Sequence, residues 1–362
     1  MNLKEWVNPT GESVNVSISE TAIIGRNGEI GRPLCAMFFL ILIICGLERV
    51  AGAAEGNKVG NLDDYLKQLR YEGIPLRGEN QRCLVDATIA GKKVVLLVDT
   101  GAPITCVDEK VGKKLKTLDQ LGVTLEDSLL GKLSGPEIVL IEKFGMGKAQ
   151  FMNQPARVES VKLDYLHTVQ EGLLGCDFLI RNHCLIDLMR RQLYVRGTKL
   201  SEQEATALNE TLRLSGLVAA NIAFERGRMN VPVRIEQKET KMFLDTGAVW
   251  SVIDTSVAKQ IGLQPVARDS TETGTAINGG YKAAVVGMKE VGHQDVWGTL
   301  VERLGIGPKE FRKQVFFVSN LKTWANGALS GHDGLIAADI LERRGAIIDC
   351  EGMKVWFRPE VK

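Results

Sequence analysis

The sequence predicts an all-β protein in which one structural unit occurs twice in tandem, each time preceded by a short helix. The tetrapeptide Asp-Thr-Gly-Ala occurs at 99–102 and again at 245–248, each time at the end of an apolar run. The text around the two copies aligns without gaps over several blocks, which indicates an internal repeat. Short strands rich in β-branched residues, frequent glycine turns and few helices indicate β-architecture.

Size and composition are those of an ordinary globular protein. The 362 residues suffice for two domains, which we place at 57–197 and 198–362, with a linker near residues 197–200. Apolar residues make up 44% and charged residues 25% of the chain, and the net charge is +1. Because no basic cluster stands out, the sequence gives no support to a nucleic-acid partner.

The N-terminal region, residues 1–56, is predicted to be a signal peptide or an N-terminal anchor. Its apolar run at 34–47 is shorter than the about 20 residues of a spanning helix. Arg26 and Arg32 precede the run, and Ala51-Gly52-Ala53 behind it is typical of a cleavage site. We therefore expect an exported protein, periplasmic or extracellular, or one anchored to a membrane and facing outward. The alternative is a buried core segment.

Each unit is expected to begin with an amphipathic helix. In the first unit Asn61 can cap a helix over residues 62–71. In the second unit Ser201 and Glu204 form a capping-box pattern ahead of residues 205–214. The same order of elements in both units strengthens the prediction of a repeat.

Strand pairs follow each helix. Gapless alignments join residues 82–99 to 228–245, 145–154 to 305–314, and 172–196 to 334–358. The first pair of blocks predicts a strand pair that ends at the acid, and the second predicts a glycine-turned hairpin. The second unit has extra residues that include Asn278-Gly279-Gly280, a strong hairpin-turn signal. A buried strand that places a carboxylate on a turn, twice in one chain, suggests two acids that meet.

The other chemistry-bearing residues give weak signals. The seven cysteines form no C-x-x-C pair, so buried free thiols are favoured over disulfides or a metal site. The four histidines are scattered and no H-E-x-x-H motif occurs, which gives no support to a zinc protease. A serine hydrolase lacks support as well, because no G-x-S-x-G motif occurs.

The repeated motifs resemble those of the retropepsin-like aspartic protease family, in a tandem, single-chain form of the pepsin-type bilobal arrangement. The resemblance covers about residues 77–197 and 220–358 and implies two β-barrel lobes. The alanine that follows each Asp-Thr-Gly, Ala102 or Ala248, resembles the residue that retroviral members of the family have at this position. Gly172-Leu173-Leu174-Gly175 fits the family's later block, whereas Ala337 replaces the last glycine in the second unit. A methyl group there is expected to crowd the turn beneath the second loop.

The resemblance implies that Asp99 and Asp245 are the catalytic residues of an aspartic endopeptidase. Two carboxylates about 3 Å apart cannot both ionise, so the pair shares a proton and activates a water molecule. This chemistry needs no metal and no cofactor. Since Ala102 and Ala248 provide no hydroxyl donor, we expect activity at mildly acidic to neutral pH.

Four further residues are predicted to support the dyad. Thr100 and Thr246 are expected to hydrogen-bond across to the partner loop and hold the carboxylates nearly coplanar. Gly101 and Gly247 are expected to allow a tight turn and to offer backbone N–H groups to the acids.

A cover over the bound peptide is also expected. In the second unit the candidate is a hairpin at 271–283, with Gly279, Gly280 and Tyr281 near its tip. In the first unit it is the segment 130–137. Trp250 either lines a substrate subsite or belongs to the core.

The expected partner is a peptide or protein substrate, and no nucleic acid is expected. A membrane is involved only if the N-terminal apolar segment is retained. The expected state is a monomer in which the two lobes pair within one chain, because fusion lowers the entropy cost of association. The alternative function is a catalytically silent peptide-binding protein on the same fold, which the departure at Ala337 favours.

Overall fold

Strands form most of the regular structure in the computed structural model, which describes residues 61–78, 82–127, 129–159, 170–265, 281–286 and 291–358. Side chains are described in these ranges except at 281–286, 291–295, 325 and 326. The predicted signal or anchor region, residues 1–56, lies outside the described residues, as do Gly279 and Gly280. Both lobes belong to one compact unit, Val59–Lys362.

The first lobe contains a closed barrel of six strands. The strands of the whole first lobe are β1 (Glu72–Pro75), β2 (Leu84–Ile89), β3 (Lys92–Val98), β4 (Cys106–Asp108), β5 (Lys116–Thr117), β6 (Leu125–Asp127), β7 (Gly131–Leu133), β8 (Ile138–Met146), β9 (Ala149–Glu159), β10 (Gly172–Leu174), β11 (Leu185–Asp187) and β12 (Gln192–Val195). Its helices are α1 (Leu62–Gln68), α2 (Glu109–Gly112), α3 (Leu118–Leu121) and α4 (Cys176–Arg181). The order β2-β3-β10-β4-β9-β8 closes where β8 pairs with β2.

The second lobe contains the corresponding barrel. The strands of the whole second lobe are β13 (Val218–Asn221), β14 (Ala223–Glu225), β15 (Arg228–Ile235), β16 (Lys238–Asp245), β17 (Val252–Asp254), β18 (Tyr281–Val286), β19 (Val291–Ile306), β20 (Lys309–Ser319), β21 (Gly334–Ala337), β22 (Ile347–Asp349) and β23 (Lys354–Phe357). Its helices are α5 (Glu202–Leu214), α6 (Thr255–Ile261) and α7 (Ala338–Arg343), with a 3₁₀ helix at Leu321–Gly327. The order β15-β16-β21-β17-β20-β19 closes where β19 pairs with β15.

A third sheet joins the two lobes. Its order is β1-β12-β11-β22-β23-β13, so three strands come from each lobe. At its centre β11 and β22 pair antiparallel, with Ile186 opposite Ile348. Helices α1 and α5 cover one face of this sheet and bury Leu66, Leu208 and Leu212 against it. The joint between the lobes is therefore a continuous hydrogen-bonded sheet with its own apolar layer.

The apolar runs before the two acids are continuous because both faces of these strands are buried. Successive side chains of a strand point to opposite faces. In β3, Leu96 and Val98 pack into the large core cluster, whereas Leu97 packs into a second cluster with Ile104. In β16, Leu244 and Phe243 divide between two clusters in the same way. The acids that follow are thereby delivered from rigid strands.

Several expectations from the sequence are met. Asn61 caps α1, and Ser201 with Glu204 forms the complete capping box of α5. The all-β prediction with two barrel lobes is confirmed. Five cysteines lie in the described part of the chain, and all are buried free thiols, as predicted: Cys83, Cys106, Cys176, Cys184 and Cys350. None of the described helices combines the length and apolarity needed to cross a bilayer.

Candidate active site

Asp99 and Asp245 lie on two loops, residues 99–102 and 245–248, which we call the acid loops. Each loop follows a barrel strand that pairs with a parallel strand. In the first lobe β3 pairs with β10, and in the second lobe β16 pairs with β21. The carboxylate of Asp99 accepts hydrogen bonds from Gly101 N at 2.8 Å and Ala102 N at 3.2 Å. The second loop repeats this pattern, because Asp245 accepts from Gly247 N at 3.0 Å and Ala248 N at 2.9 Å. The backbone of each loop thus orients its own acid.

The two threonines fasten the acid loops to each other. The hydroxyl of Thr100 donates to Leu244 O at 2.9 Å, and that of Thr246 donates to Val98 O at 2.7 Å. Each hydroxyl also accepts from the other threonine's N–H, both at 3.1 Å. Both side chains are buried. The four bonds form a reciprocal set across the lobes, as the sequence analysis expected.

Gly101 and Gly247 lie against the opposite acid. A Cβ atom on Gly101 would be 2.5 Å from Asp245 Cγ, and one on Gly247 would be 2.6 Å from both carboxylate oxygens of Asp99. Neither glycine has a positive φ. Close approach between the loops therefore explains these glycines better than the tight turn that the sequence analysis expected.

The two acids are electrostatically coupled. Burial raises the pKa of Asp99 most, and the charge of Asp245 raises it further. Burial also raises the pKa of Asp245, although hydrogen bonds and the Arg228 guanidinium act in the opposite direction. By surface area the two residues are partly exposed. A pair that disfavours double ionisation fits a shared proton and a bound water.

A second pair of buried acids supports the acid loops from beneath. Asp177 accepts from the N–H and the hydroxyl of Thr105, both at 2.7 Å. Asp339 accepts from the N–H of Ser251 at 3.1 Å and from its hydroxyl at 2.6 Å. The sequence analysis missed this role, although each acid lies in the gapless block 172–196 or 334–358.

Ala337 does not crowd the second loop, and that expectation is wrong. The corresponding position of the first lobe has no room for a methyl group, because a Cβ atom at Gly175 would be 2.6 Å from the carbonyl carbon of Ile104. Yet Ala337 N donates to Ser251 Oγ at 2.9 Å, as Gly175 N donates to Thr105 Oγ1 at 3.1 Å. The Ala337 side chain is fully buried in a small apolar cluster with Leu321. The second lobe has therefore made room for the methyl group while keeping the loop's hydrogen bond.

The predicted cover residues are not brought together with the acids by any described contact. Tyr281 begins β18, where it pairs with Val296 of β19. The rest of the expected hairpin up to this point, residues 271–280, lies outside the described residues. In the first lobe, β6 and β7 form a hairpin that begins at Leu125, ahead of the expected segment 130–137.

Trp250 follows the second acid loop and is 40% exposed. Its ring stacks edge-to-face on Phe317, with centroids 5.6 Å apart. A side chain this exposed does not belong to the core, so the core alternative is wrong and the substrate-subsite role stays a prediction.

Arg228 is a further residue that the sequence analysis did not single out. Its guanidinium is buried and its Nε donates to Gly101 O, in the opposite lobe, at 3.2 Å. Among the described residues, no group of three or more His, Cys, Asp or Glu side chains is arranged to hold a metal ion. The site is a pair of carboxylates that accept from backbone N–H groups, on loops that the threonine hydroxyls fasten to each other.

Comparisons with known proteins agree with this class of site. The family model described as aspartyl protease matches residues 85–178, and that described as gag-polyprotein putative aspartyl protease matches residues 231–335. Each match contains one acid loop. The two matches support a retropepsin-like aspartic protease family and a peptide hydrolase. No curated protein matches the chain significantly.

Two solved structures illustrate the likeness. An aspartic proteinase from Irpex lacteus is 12% identical, with a TM-score of 0.41, over 80% of this chain and 97% of that one. A retropepsin-like aspartic protease from Rickettsia conorii is 15% identical, with a TM-score of 0.26, over 39% of this chain and 91% of that one. The family assignment depends on the two family models and not on these structures.

Proposed function

We propose that this protein is an aspartic endopeptidase in which Asp99 and Asp245 act as one dyad between the lobes. The observation that carries the proposal is the reciprocal set of hydrogen bonds between Thr100 and Thr246. These bonds fix two acid loops from different barrels face to face, with both aspartates partly exposed. A turn that served only to end a strand would not need this arrangement.

The chemistry follows from one proton shared by two carboxylates. The ionised carboxylate accepts a proton from water while the water oxygen attacks the peptide carbonyl carbon. The protonated carboxyl group donates to the carbonyl oxygen, which gives a neutral tetrahedral diol. Collapse of the diol breaks the C–N bond, and the proton taken from water passes to the leaving nitrogen. Because burial raises both pKa values, we expect activity from mildly acidic to neutral pH.

The wider context of this function is also a proposal. The substrate is a peptide or protein, bound beside Trp250 and beneath a hairpin cover. The chain acts as a monomer, because its own two lobes supply both acids. Export or outward anchoring is supported by the apolar run at 34–47 and the small residues behind it.

The alternative of a silent peptide-binding protein has lost the observation that favoured it. That observation was the departure at Ala337, and the second acid loop keeps its hydrogen bond to Ser251 despite it.

The test is cleavage of a mixed peptide library between pH 3 and pH 8 by the full-length chain and by Asp99→Asn and Asp245→Asn. We expect the parent to cut and each variant to lose at least about 10³-fold in rate, since each acid performs general acid–base work. Asp64→Asn, an exposed acid on α1, is the control and should cut like the parent. Full activity in either dyad variant, or no cleavage by a folded parent, would contradict the proposal.

A further inference from the structure

The sheet that joins the lobes brings two cysteines opposite each other. Strands β11 and β22 pair antiparallel with Leu185 opposite Asp349, and the same register, one residue further, sets Cys184 against Cys350. The N–H of Cys350 donates to Cys184 O at 3.0 Å, which fixes this pairing. One cysteine belongs to the first lobe and the other to the second.

The backbone of this pair has the spacing of a disulfide. Residues that are directly opposite in an antiparallel pair extend their side chains to the same face. Their Cα atoms are about 4.5–5.5 Å apart, within the usual range of about 4.4–6.8 Å for a disulfide. Cys184 and Cys350 are fully buried, and both pack into the large core cluster. The structure holds them as free thiols.

The joint has a second position of the same kind, and that position is apolar. The two isoleucines at its centre are equivalent in the repeat, so an approximate two-fold axis passes between them. This axis relates the cysteine pair to Leu188 and Ala346, where Leu188 N donates to Ala346 O at 3.0 Å. Both of these residues are buried. Apolar side chains therefore fill this position well, and packing alone does not require two thiols.

The thiols of the other three cysteines in the described chain donate to groups elsewhere. These bonds join Cys83 to Glu342 Oε1 at 4.0 Å, Cys106 to Ile104 O at 3.4 Å and Cys176 to Thr100 O at 3.0 Å. Burial raises the pKa of both Cys184 and Cys350, so their thiols are protonated in the folded chain. A covered, protonated thiol reacts poorly. The pair is therefore open to an oxidant mainly before the joint closes, while the chain folds.

We propose that Cys184 and Cys350 form a disulfide between the lobes when the chain folds in contact with a small disulfide such as oxidised glutathione. One cysteine, as the thiolate, attacks a sulfur of the small disulfide, which releases one thiol and leaves a mixed disulfide. The other cysteine then attacks the protein sulfur of the mixed disulfide and releases the second thiol. The two protein thiols are oxidised, and the small disulfide is reduced to two thiols that take up both protons. Exported proteins fold in such a medium.

The first test maps the cysteines of the full-length chain after it refolds from urea in a buffer of oxidised and reduced glutathione. Free thiols are alkylated under denaturing conditions, and the peptides are identified by mass spectrometry. We expect one peptide pair joined through Cys184 and Cys350, with Cys83, Cys106 and Cys176 alkylated. A folded chain in which Cys184 and Cys350 are both alkylated, or in which either is joined to another cysteine, would overturn the proposal.

The second test compares the urea midpoints of the oxidised and reduced forms of the full-length parent and three variants. A cross-link between residues far apart in sequence removes conformational freedom from the unfolded chain, so oxidation should raise the parent's midpoint by about 1 M. Cys184→Ala and Cys350→Ala should lose this difference. Cys106→Ala removes a buried cysteine elsewhere and, as the matched control, should keep it.

Each chain is compared with its own reduced form, so the packing cost of the alanine cancels. Equal midpoints for the two forms of the parent, or a difference that persists in Cys184→Ala, would reject a disulfide between the lobes. Neither test involves peptide cleavage, so the result is independent of the proposed function.

Discussion

The two lobes are nearly identical at their acid loops and differ in what surrounds these loops. Each acid accepts from the two N–H groups that follow the threonine, and each threonine bonds the opposite strand end. Around this common centre, Gly175 corresponds to Ala337, and Ile104 to Trp250. Arg82 and Arg228 occupy corresponding positions but bond different partners. Reciprocal bonds across the lobes require both loops to keep one geometry, whereas the flanking residues are free to diverge.

This difference shows how a duplicated unit can produce a site with two unlike halves. The arginine that bonds the opposite acid loop and the exposed Trp250 both belong to the second lobe. Substitutions at corresponding positions in the two lobes separate what the shared centre requires from what each lobe adds.

The largest effect is expected from filling the contact between the loops. Gly101→Ala and Gly247→Ala would each place a methyl group within 3 Å of the opposite carboxylate, so one loop must shift. We expect each variant to lose more than about 100-fold in kcat, because misplaced catalytic groups lose orientation. Peptide cleavage and thermal unfolding should be measured together. Gly197→Ala, at an exposed position with open space and no positive φ, is the control for the substitution itself. Wild-type activity in either loop variant would contradict the close packing of the dyad.

The next effect is expected from the cross-lobe threonines. Thr100→Val removes a hydroxyl that donates to Leu244 O and accepts from Thr246 N, and leaves both groups buried without that partner. We expect a loss of roughly 2–4 kcal/mol in the free energy of unfolding, and a similar loss for Thr246→Val. Urea unfolding measures it.

The serine variants at the same positions provide the control. Thr100→Ser and Thr246→Ser keep the hydroxyl and should lose less than about 1.5 kcal/mol. Equal losses for valine and serine would mean that the methyl packing, and not the hydrogen bonds, holds the lobes together.

A smaller and unequal effect is expected where glycine in one lobe corresponds to alanine in the other. Gly175→Ala would press a methyl group against the backbone of Ile104 and Thr105, which cannot yield as a side chain can. We expect a loss of about 2 kcal/mol in the free energy of unfolding, together with reduced cleavage. Ala337→Gly should lose about 1 kcal/mol and retain cleavage, since it only removes a buried methyl group and adds backbone freedom. Equal losses would mean that the two turns have the same space.

Sequence patterns predicted the parts of this protein that depend on local order. Apolar runs, glycine turns, the repeat and capping residues predicted the strand pairs and the helices, and the double Asp-Thr-Gly predicted both acids at strand ends. The sheet that joins the lobes was not foreseen, because the pairing of Ile186 with Ile348 links segments far apart in sequence. The same reason hid the bond from Arg228 to Gly101 O, which lies in the other lobe.

The smallest effect concerns stability and pH. Burial raises the pKa of both acids in the native state, so the folded chain retains a proton that the unfolded chain releases near pH 4. The dyad's contribution to stability is therefore largest below about pH 4 and falls as pH rises towards the raised native values. Asp99→Asn and Asp245→Asn each remove one member of the pair that retains the proton, so each variant should flatten this fall. We expect the change in unfolding free energy between pH 4 and pH 8 to be smaller than in the parent by about 1 kcal/mol in each variant. Urea unfolding at both pH values measures it, and a slope equal to that of the parent would show that the two acids do not retain a proton as a pair.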